Sequence, residues 1–312
     1  MREILPMGDS EHGNFPHRLK VAILGSGNIG TDLMLKLQRS PYLQCSALIG
    51  RSLDSKSRPI AEKAGVIFSP EGIEFVKTNP QLCDLVFDAT SARAHEAHAP
   101  ILRDLGIKTI DLTPAKIGSL CVPAVNGANL IDEDNLNMVT CGGQASAPIA
   151  YALGQSHSEI EYIEVVSSIA SKSAGPATRA NLDEYIHTTE SGVQQFSGAL
   201  KVKAILNLNP AEPCIDMQTT VFAKVRSPNL EKFKEALLPM LERIHAYVPG
   251  YQLIVGPLLE GGRIVTMVRV KGLGDYLPQY AGNLDIINCA AIAMAEQYAL
   301  RRGLHEKTSI DQ

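Results

Sequence analysis

A glycine pattern near the start of the chain constrains the fold more than any other feature of the sequence. The segment Gly25-Ser26-Gly27-Asn28-Ile29-Gly30 matches G-x-G-x-x-G, directly follows the apolar stretch Lys20–Leu24 and opens a helical stretch. In that context the first glycine permits a tight turn, the second lets the backbone approach a pyrophosphate, and the third lets the helix pack closely on the strand. We therefore predict an α/β sheet that binds a dinucleotide at Gly25, Gly27 and Gly30.

Strands and helices are expected to alternate through the first half of the chain. Stretches typical of strands occupy residues 20–24, 43–49, 84–88, 108–112 and 137–140, with helical patterns between them. This alternation is typical of a doubly wound, Rossmann-type parallel sheet. After about residue 157 the predicted strands are longer and the crossovers fewer, which indicates a second α+β domain with a mostly antiparallel sheet. A last helix, at 285–301, is expected to pack back on the first domain.

The composition excludes several classes of function. Apolar residues make up 45% and charged residues 20% of the 312-residue chain, as in globular proteins, and the net charge of −4 gives no reason to expect nucleic acid or an anionic membrane as a partner. No apolar run reaches the roughly 18 residues of a membrane helix. Residues 1–18 are polar, contain glycine and proline, and are expected to form a flexible extension without a secretory signal. Six scattered cysteines without CxxC spacing predict neither zinc nor disulfides and favour the cytoplasm.

Cys141 is the candidate nucleophile. It follows the predicted strand 137–140 and precedes two glycines and a helical stretch, so its thiol would face the start of a helix. The positive end of a helix dipole stabilises a thiolate there, although free cysteines are more often small buried hydrophobes. Donors for an oxyanion would lie near the turn 142–144. The eight histidines show no nucleophile signature, and His95 and His98, spaced i, i+3, are expected at the surface rather than at a metal, so no metal site is predicted.

Four further segments are candidates for cofactor contacts. The small-residue loop 173–181 offers backbone N–H groups and an arginine, with Thr178 as a possible helix cap, or it is a plain connection. Asn283 either caps the last helix or meets a nicotinamide carboxamide. The turn 88–91 ends a strand at the edge where cofactors lie, so it either approaches the nicotinamide ribose or is a plain strand-end turn. Arg51 follows the second strand where an acid would mark NAD, so it either faces a 2′-phosphate of NADP or is solvated.

Several strings distributed along the chain resemble the acylating acetaldehyde dehydrogenase family, the partners of 4-hydroxy-2-oxovalerate aldolase. The resemblance runs from about residue 20 to residue 301. Its strings are Lys20–Thr31, Cys121–Asn126, Asn137–Ala145, Ser171–Pro176, Asn209–Pro213 and Leu277–Ile286. So many collinear strings make the resemblance specific.

The resemblance implies a fold, a reaction and site residues. The fold would be a Rossmann domain at 19–156 plus 283–312, and a catalytic and dimerisation domain at 157–282 related to that of glyceraldehyde phosphate dehydrogenase. Cys141 would form an acyl thioester, with NAD as cofactor, coenzyme A as co-substrate and a short aldehyde as substrate, in a homodimer bound to the aldolase. The implied NAD contacts are Ser26, Asn28, Ile29, Ser173, Ala174, Gly175, Pro176, Ala177, Thr178, Arg179, Ala180, Asn181 and Asn283.

The chain also departs from the family pattern. Family members carry an Asp-Thr pair soon after the string 209–213, and here Thr219 stands where that aspartate would fall, with Asp216 three residues earlier. The base that activates the thiol is therefore open. The segment 251–274 is shorter than expected, which predicts an altered acyl pocket or partner surface. Two alternatives stay open: an NAD(P) dehydrogenase that is phosphorylating or reduces an acyl phosphate, and a catalytically silent Rossmann subunit.

Overall fold

A seven-stranded parallel sheet forms the first half of the molecule. The computed structural model describes residues 18–310, with backbone only for Pro176, Ala177 and residues 304–310, so the predicted extension lies, except for Arg18, outside the described residues. The strand order is β3-β2-β1-β4-β5-β7-β6. The strands are β1 (Leu19–Leu24), β2 (Leu43–Ile49), β3 (Ile67–Ser69), β4 (Leu85–Asp88), β5 (Lys108–Asp111), β6 (Ser119–Leu120) and β7 (Asn135–Asn137).

The strand order reverses between β1 and β4, and this reversal opens a crevice at their carboxyl ends. Ligands of doubly wound sheets bind in such a crevice. The apolar residues of β1 and β4 are buried, since helices cover both faces of the sheet. The helices of this half are α1 (Asn28–Leu37), α2 (Arg58–Lys63), α3 (Ile73–Thr78), α4 (Ala92–Asp104) and α5 (Pro123–Asn126).

A five-stranded mixed sheet forms the second half, in the order β11-β12-β10-β8-β9, with only the β8–β9 pair parallel. The strands are β8 (Ile160–Ala170), β9 (Val202–Asn209), β10 (Met217–Val225), β11 (Tyr251–Glu260) and β12 (Arg263–Val270). The helices are α6 (Cys141–Ser156), α7 (Pro176–Ala180), α8 (Leu182–Ser197) and α9 (Leu230–His245). Alternate residues of β8 point into a core shared with α6 and α9. Both predicted sheet types are confirmed.

The last helix, α10 (Gly282–Ile310), returns to the first sheet, as expected. Its residues Ile287, Ala291 and Met294 share an apolar core with Leu33 and Met34 of α1. These side chains pack together, so α10 completes the core on which α1 and the first sheet are built.

A buried ionic cluster fixes α1 to α10. Lys36 is 2% exposed, and its Nζ lies 2.9 Å from Asp32, 2.7 Å from Asp275 and 2.8 Å from Asp285. Burial works against the charge of Lys36, but hydrogen bonds from its ammonium to the three carboxylates more than offset burial and raise its pKa. Separating α10 from α1 would leave the buried Lys36 ammonium without two of its carboxylate partners, which is energetically costly. The cluster therefore holds the two helices in one arrangement.

Several elements differ from the prediction, since the short elements β3, α3, β6 and α5 were not predicted. The strand expected at 137–140 ends at Asn137, because Val139 has φ +58° and cannot continue it. Strand β11 was not predicted, since most of its residues are exposed and it lacks an alternating apolar pattern. Within residues 18–310, no helix has both the length and the apolar character needed to cross a membrane.

Candidate active site

Cys141 is the first residue of α6 and not the last residue of a strand. Thr140 caps the helix, since its Oγ1 accepts a hydrogen bond from the Gly143 N–H at 2.9 Å. The same hydroxyl lies 2.7 Å from Oγ1 of Thr189 on α8. The thiol is therefore held at the positive end of a 16-residue helix, the electrostatic setting that the sequence predicts.

The turn that leads into α6 is strained and tightly fixed. Val139 occupies the left-handed region, which a β-branched residue rarely adopts. Gln144 stabilises the turn, because its Nε2 donates to the carbonyls of Cys121 and Met138, both at 2.8 Å. The Gly143 N–H and the side-chain amide of Gln144 are thus engaged within the protein. The backbone N–H groups of Cys141 and Gly142 are the backbone donors that remain beside the thiol. Strain of this kind, over-determined by its surroundings, is found at functional sites.

Buried hydroxyl groups surround the thiol. Oη of Tyr185 lies 3.8 Å from Sγ of Cys141, within hydrogen-bond distance for sulfur. Tyr185 also hydrogen bonds with Ser167, whose Oγ lies 3.0 Å from Oγ1 of Thr219. Thr219, singled out in the sequence for replacing an acid, therefore lies at the far end of a chain of hydroxyls. Tyr185 and Ser167 were not predicted, since they come from other elements and carry no motif.

Burial dominates the ionisation of the thiol. Cys141 is half-buried, and its desolvation raises the pKa of the thiol to about 11, although hydrogen bonds from Tyr185 and from the backbone of Gly142 and Cys141 lower it. The backbone hydrogen bonds at the helix start lower the pKa of the thiol, but burial raises it by more. The thiol is protonated at neutral pH in this structure and needs further stabilisation to act as a nucleophile.

The thiol opens onto a cleft between the two sheets. The cleft has a volume of about 640 Å³, including space open to solvent. Its walls are formed by Ile29, Ala89, Thr90, Ser91, Leu112, Thr113, Pro114, Val139, Thr140, Cys141, Thr178, Asn181, Tyr185, Asn283, Leu284 and Ile287. The turn after β4, proposed from the sequence to lie near the cofactor, is thus brought to the same cleft as Cys141.

The glycine loop has the geometry of a phosphate-binding turn. A Cβ on Gly25 would lie 2.5 Å from the Ala89 carbonyl oxygen, and one on Gly30 would lie 1.8 Å from the Gly25 carbonyl oxygen, so both positions require glycine for packing. A Cβ on Gly27 would meet no protein atom within 4 Å. Gly27 has no packing reason to be glycine, and its bare backbone at the start of α1 faces open space that suits a pyrophosphate. The residues present therefore fit a dinucleotide.

Asn283 is a second feature of the cleft that fits a bound dinucleotide. Its side chain is buried, lines the cleft, and has an Oδ1 with no hydrogen-bond partner. Buried polar atoms are nearly always paired, and a carboxamide in the cleft would satisfy this one. The alternative of a helix cap is wrong, because α10 already begins at Gly282 and Asn283 lies within its first turn.

Of the residues of loop 173–181 whose side chains the structure describes, Thr178 and Asn181 line the cleft. The Arg179 guanidinium donates to the Ala174 carbonyl at 3.0 Å and to the Ser171 carbonyl at 3.1 Å, so it orders the loop. Thr178 does not cap a helix, since α7 begins at Pro176 after Gly175. The Ser173 hydroxyl donates to a backbone carbonyl, and Ala174 is buried, while Ala180 lies on the exposed side.

The histidines of α4 were wrongly expected at the surface. His95 is fully buried and His98 largely so, and both contact the carboxylate of Asp88 through Nδ1, at 3.0 and 2.7 Å. Asp111 lies 3.5 Å from the other side of the His95 ring. Burial raises the pKa of Asp111 to about 7, whereas bonds from the two histidines hold the pKa of Asp88 at about 2 despite its burial. This network lies directly behind the cleft walls at Thr90 and Thr113, to which its carboxylates bond.

Arg51 lies exposed beyond the end of β2, close to a cluster of serines. The Ser26 hydroxyl lies 3.1 Å from Oγ of Ser55, and Ser57 donates to the Ser26 carbonyl at 3.0 Å. These contacts fix the loop after β2 against the glycine loop. Among the described residues, no group of three or more histidine, cysteine, aspartate or glutamate side chains could hold a metal ion.

This fold, with Cys141 in the cleft beside the glycine loop, is that of the semialdehyde dehydrogenases. The aspartate semialdehyde dehydrogenase of Candida albicans, solved with NADP, has the same fold, with a TM-score of 0.59 and 15% identity over 90% of this chain and 100% of that one. The aspartate semialdehyde dehydrogenase II of Vibrio cholerae superposes equally well, at 15% identity over 91% and 99% of the two chains. Residues 20–132 match the family described as semialdehyde dehydrogenase, NAD binding domain.

Sequence comparison identifies the family of the chain within this fold. Residues 141–278 match the family described as prokaryotic acetaldehyde dehydrogenase, dimerisation. An acetaldehyde dehydrogenase of Spirochaeta aurantia is 63% identical over 95% of this chain and its own full length, and one of Pectobacterium atrosepticum is 55% identical over 93% of this chain and 98% of its own. The chain belongs to the acetaldehyde dehydrogenase family. The predicted family, enzyme class and NAD-binding domain are confirmed.

Proposed function

We propose that this chain oxidises acetaldehyde, or another short aldehyde, with NAD and coenzyme A to an acyl-CoA through a thioester on Cys141. The position of Cys141 carries the proposal, since its thiol lies at a helix start in the cleft that also holds Ile29 of the glycine loop and Asn283. The name acetaldehyde dehydrogenase is shared by relatives at 52% to 63% identity.

Cys141 forms and breaks the covalent bonds of the reaction. Its sulfur adds to the aldehyde carbon as the thiol loses its proton, which gives a hemithioacetal, and loss of hydride from that carbon leaves a thioester on Cys141. The thiol of coenzyme A then attacks the thioester carbon, and the acyl-CoA leaves with the Cys141 thiol restored. The covalent intermediate separates oxidation from acyl transfer. We assign the backbone N–H groups of Cys141 and Gly142, which hydrogen bond with the sulfur, as the donors to the developing oxyanion.

The first sheet and α10 supply the residues that orient the cofactor. Gly25, Gly27 and Gly30 with the start of α1 would hold the pyrophosphate, and the orphaned Oδ1 of Asn283 would accept from the carboxamide N–H. Thr178 and Asn181 also line the cleft, and Arg179 orders their loop. Bound NAD supplies the hydride acceptor.

Omitting each substrate in turn tests the reaction. With acetaldehyde, NAD and coenzyme A together, we expect NADH absorbance to rise, and without coenzyme A we expect at most one equivalent of NADH per Cys141. NADH formation that depends on phosphate instead of coenzyme A would favour the phosphorylating alternative. That alternative needs a Cys–His pair, and no histidine is among the described residues that line the cleft. NAD binding without turnover would favour the silent subunit.

The second domain is the proposed site of assembly. The match to a dimerisation family supports a homodimer. Strand β11 lies at the edge of its sheet and exposes Leu253, Ile254, Leu258 and Leu259, a patch that suits a protein partner. We extend the proposal to a complex with a 4-hydroxy-2-oxovalerate aldolase in the cytoplasm, with the domains divided as 19–156 plus 283–312 and 157–282.

Co-purification and sizing with that aldolase test the complex. A stable joint species would support transfer of the reactive aldehyde between the enzymes, and Leu258→Asp together with Leu259→Asp should weaken it. A chain that remains a free homodimer at micromolar concentrations beside the aldolase would remove the partner and leave the Cys141 reaction intact.

A further inference from the structure

The thiol of Cys141 faces a phenol hydroxyl and has no carboxylate or histidine among its described hydrogen-bond partners. Oη of Tyr185 lies 3.8 Å from Sγ, and the other groups that hydrogen bond with the sulfur are backbone N–H groups. Tyr185 is 6% exposed and lies on α8, 44 residues further along the chain. A group in direct contact with the reacting sulfur, and buried at the cleft wall, is positioned to influence its ionisation.

The hydrogen-bond partners of Tyr185 place its hydroxyl beside the sulfur in both protonation states of the thiol. The Cys141 thiol donates to Oη of Tyr185 at 3.8 Å, and Ser167, a further hydrogen-bond partner of the phenol, contacts Thr219 at 3.0 Å. A phenol oxygen has two lone pairs and one proton. Once the thiol loses its proton the sulfur can only accept, and the phenol O–H of Tyr185 is the side-chain group within hydrogen-bond distance that can donate to it.

Gly142 keeps the space that this arrangement needs. A Cβ at position 142 would lie 2.2 Å from Oη of Tyr185 and 3.0 Å from Oγ of Ser167. Gly142 is helical and has no positive φ, so its backbone conformation does not require glycine. The absence of a side chain serves instead to admit the tyrosine hydroxyl beside the thiol.

We infer that Tyr185 is a second catalytic residue, whose hydroxyl donates a hydrogen bond to the Cys141 thiolate, with Ser167 and Thr219 as positioning residues. This inference rests on the proposed role of Cys141. When the S–H bond breaks, the proton passes to solvent in the cleft, and the phenol stays neutral because burial holds its pKa well above the ordinary value. A donor of this kind stabilises the thiolate without competing with it for a proton.

Alkylation of Cys141 by iodoacetamide, followed by mass spectrometry of its peptide from pH 7 to 9, tests the inference without any substrate. Tyr185→Phe should slow alkylation about tenfold, as expected from the loss of one charge-assisted hydrogen bond worth about one pKa unit. Ser167→Ala and Thr219→Val should slow it by smaller factors. The matched control is Tyr251→Phe, which removes a buried hydroxyl that donates to the Ala145 carbonyl of the same helix, at 2.7 Å, and should leave the rate unchanged.

A more acidic phenol separates hydrogen bonding from packing. With 3-fluorotyrosine at position 185, the more acidic phenol donates a stronger hydrogen bond, so Cys141 should be alkylated faster than in the wild type. If Tyr185 served only to pack against its neighbours, the rate would not increase. An unchanged rate in Tyr185→Phe, or a fluorotyrosine variant no faster than wild type, would overturn the inference. If Tyr185→Phe fails to fold, Ser167→Ala and the fluorotyrosine variant still decide the matter. Failure of the proposed function would appear separately, as turnover by Cys141→Ser.

Discussion

The two ends of the cleft are built in opposite ways. At the glycine loop no side chain covers the backbone, so that Gly27 and the start of α1 expose backbone N–H groups to a ligand. At Cys141 the protein crowds buried hydroxyls around one reactive atom and raises the pKa of its thiol to about 11. The glycine loop can bind a phosphate through fixed backbone dipoles, whereas the hydroxyls around Cys141 must lower the free-energy cost of a buried thiolate. Substitutions at the first end should therefore alter affinity, and those at the second should alter chemistry.

The largest expected effect is at the thiol. Cys141→Ser should lower acyl-CoA formation by about 10³-fold or more, because a serine hydroxyl is a much weaker nucleophile than a thiolate. NAD affinity, measured by titration calorimetry, should stay within about twofold of wild type. Loss of both activity and NAD binding would show that the two ends of the cleft are not separable, and substantial turnover would remove Cys141 from its role.

The next effect is a contrast within the glycine loop. Gly27→Ala should weaken NAD binding about tenfold or more and leave the melting temperature unchanged, since its methyl group meets no protein atom. Gly30→Ala should instead lower the stability by about 1–3 kcal/mol, because its methyl group would clash with the Gly25 carbonyl oxygen. Calorimetry and thermal melts measure both quantities. Equal losses of stability in the two variants would contradict a ligand role for Gly27.

A smaller effect concerns pH and the network behind the cleft. Asp111 and His95 both have raised pKa values, Asp111 at about 7, so the folded state holds more protons than the unfolded chain and stability should fall as the pH rises from about 4 through 8. Asp88, with its pKa near 2, adds stability above pH 4 that is lost in acid. We expect the melting temperature to drop by about 3 °C or more between pH 6 and 8, roughly 1 kcal/mol. Asp111→Asn should flatten that slope, and an unchanged slope would exclude Asp111 as its source.

The smallest expected effect is at Arg51. We expect NAD to remain preferred, with Arg51→Ala changing the kcat/KM for NADP by less than about tenfold, which is 1.4 kcal/mol. Steady-state kinetics with both cofactors measure the change. A wild-type preference for NADP of tenfold or more would show that the serine cluster and Arg51 form a 2′-phosphate site.

The two ends of the cleft also differ in how far the sequence predicts them. The glycine loop is local, since six consecutive residues carry both its turn and its function, and the run around Cys141 likewise indicates its own helix. The hydroxyls beside the thiol come from three separate elements, with Tyr185 on α8, Ser167 on β8 and Thr219 on β10. The residue pattern within one element cannot predict that they lie close together. The burial of His95 was missed for the same reason, because its partner Asp88 lies on a strand and the helix pattern alone does not show which polar side chains face the sheet.

The contacts of Lys36 carry a consequence for synthesis on the ribosome. Two of its three carboxylate partners, Asp275 and Asp285, are translated about 240 residues after it, and α10 completes the core around Leu33 and Met34. While the chain is still being made, a lysine destined for burial has only Asp32 nearby, and a face of α1 remains uncovered. The first sheet to emerge from the ribosome is therefore the last to be completed, and a nascent chain that lacks α10 presents that apolar face to chaperones.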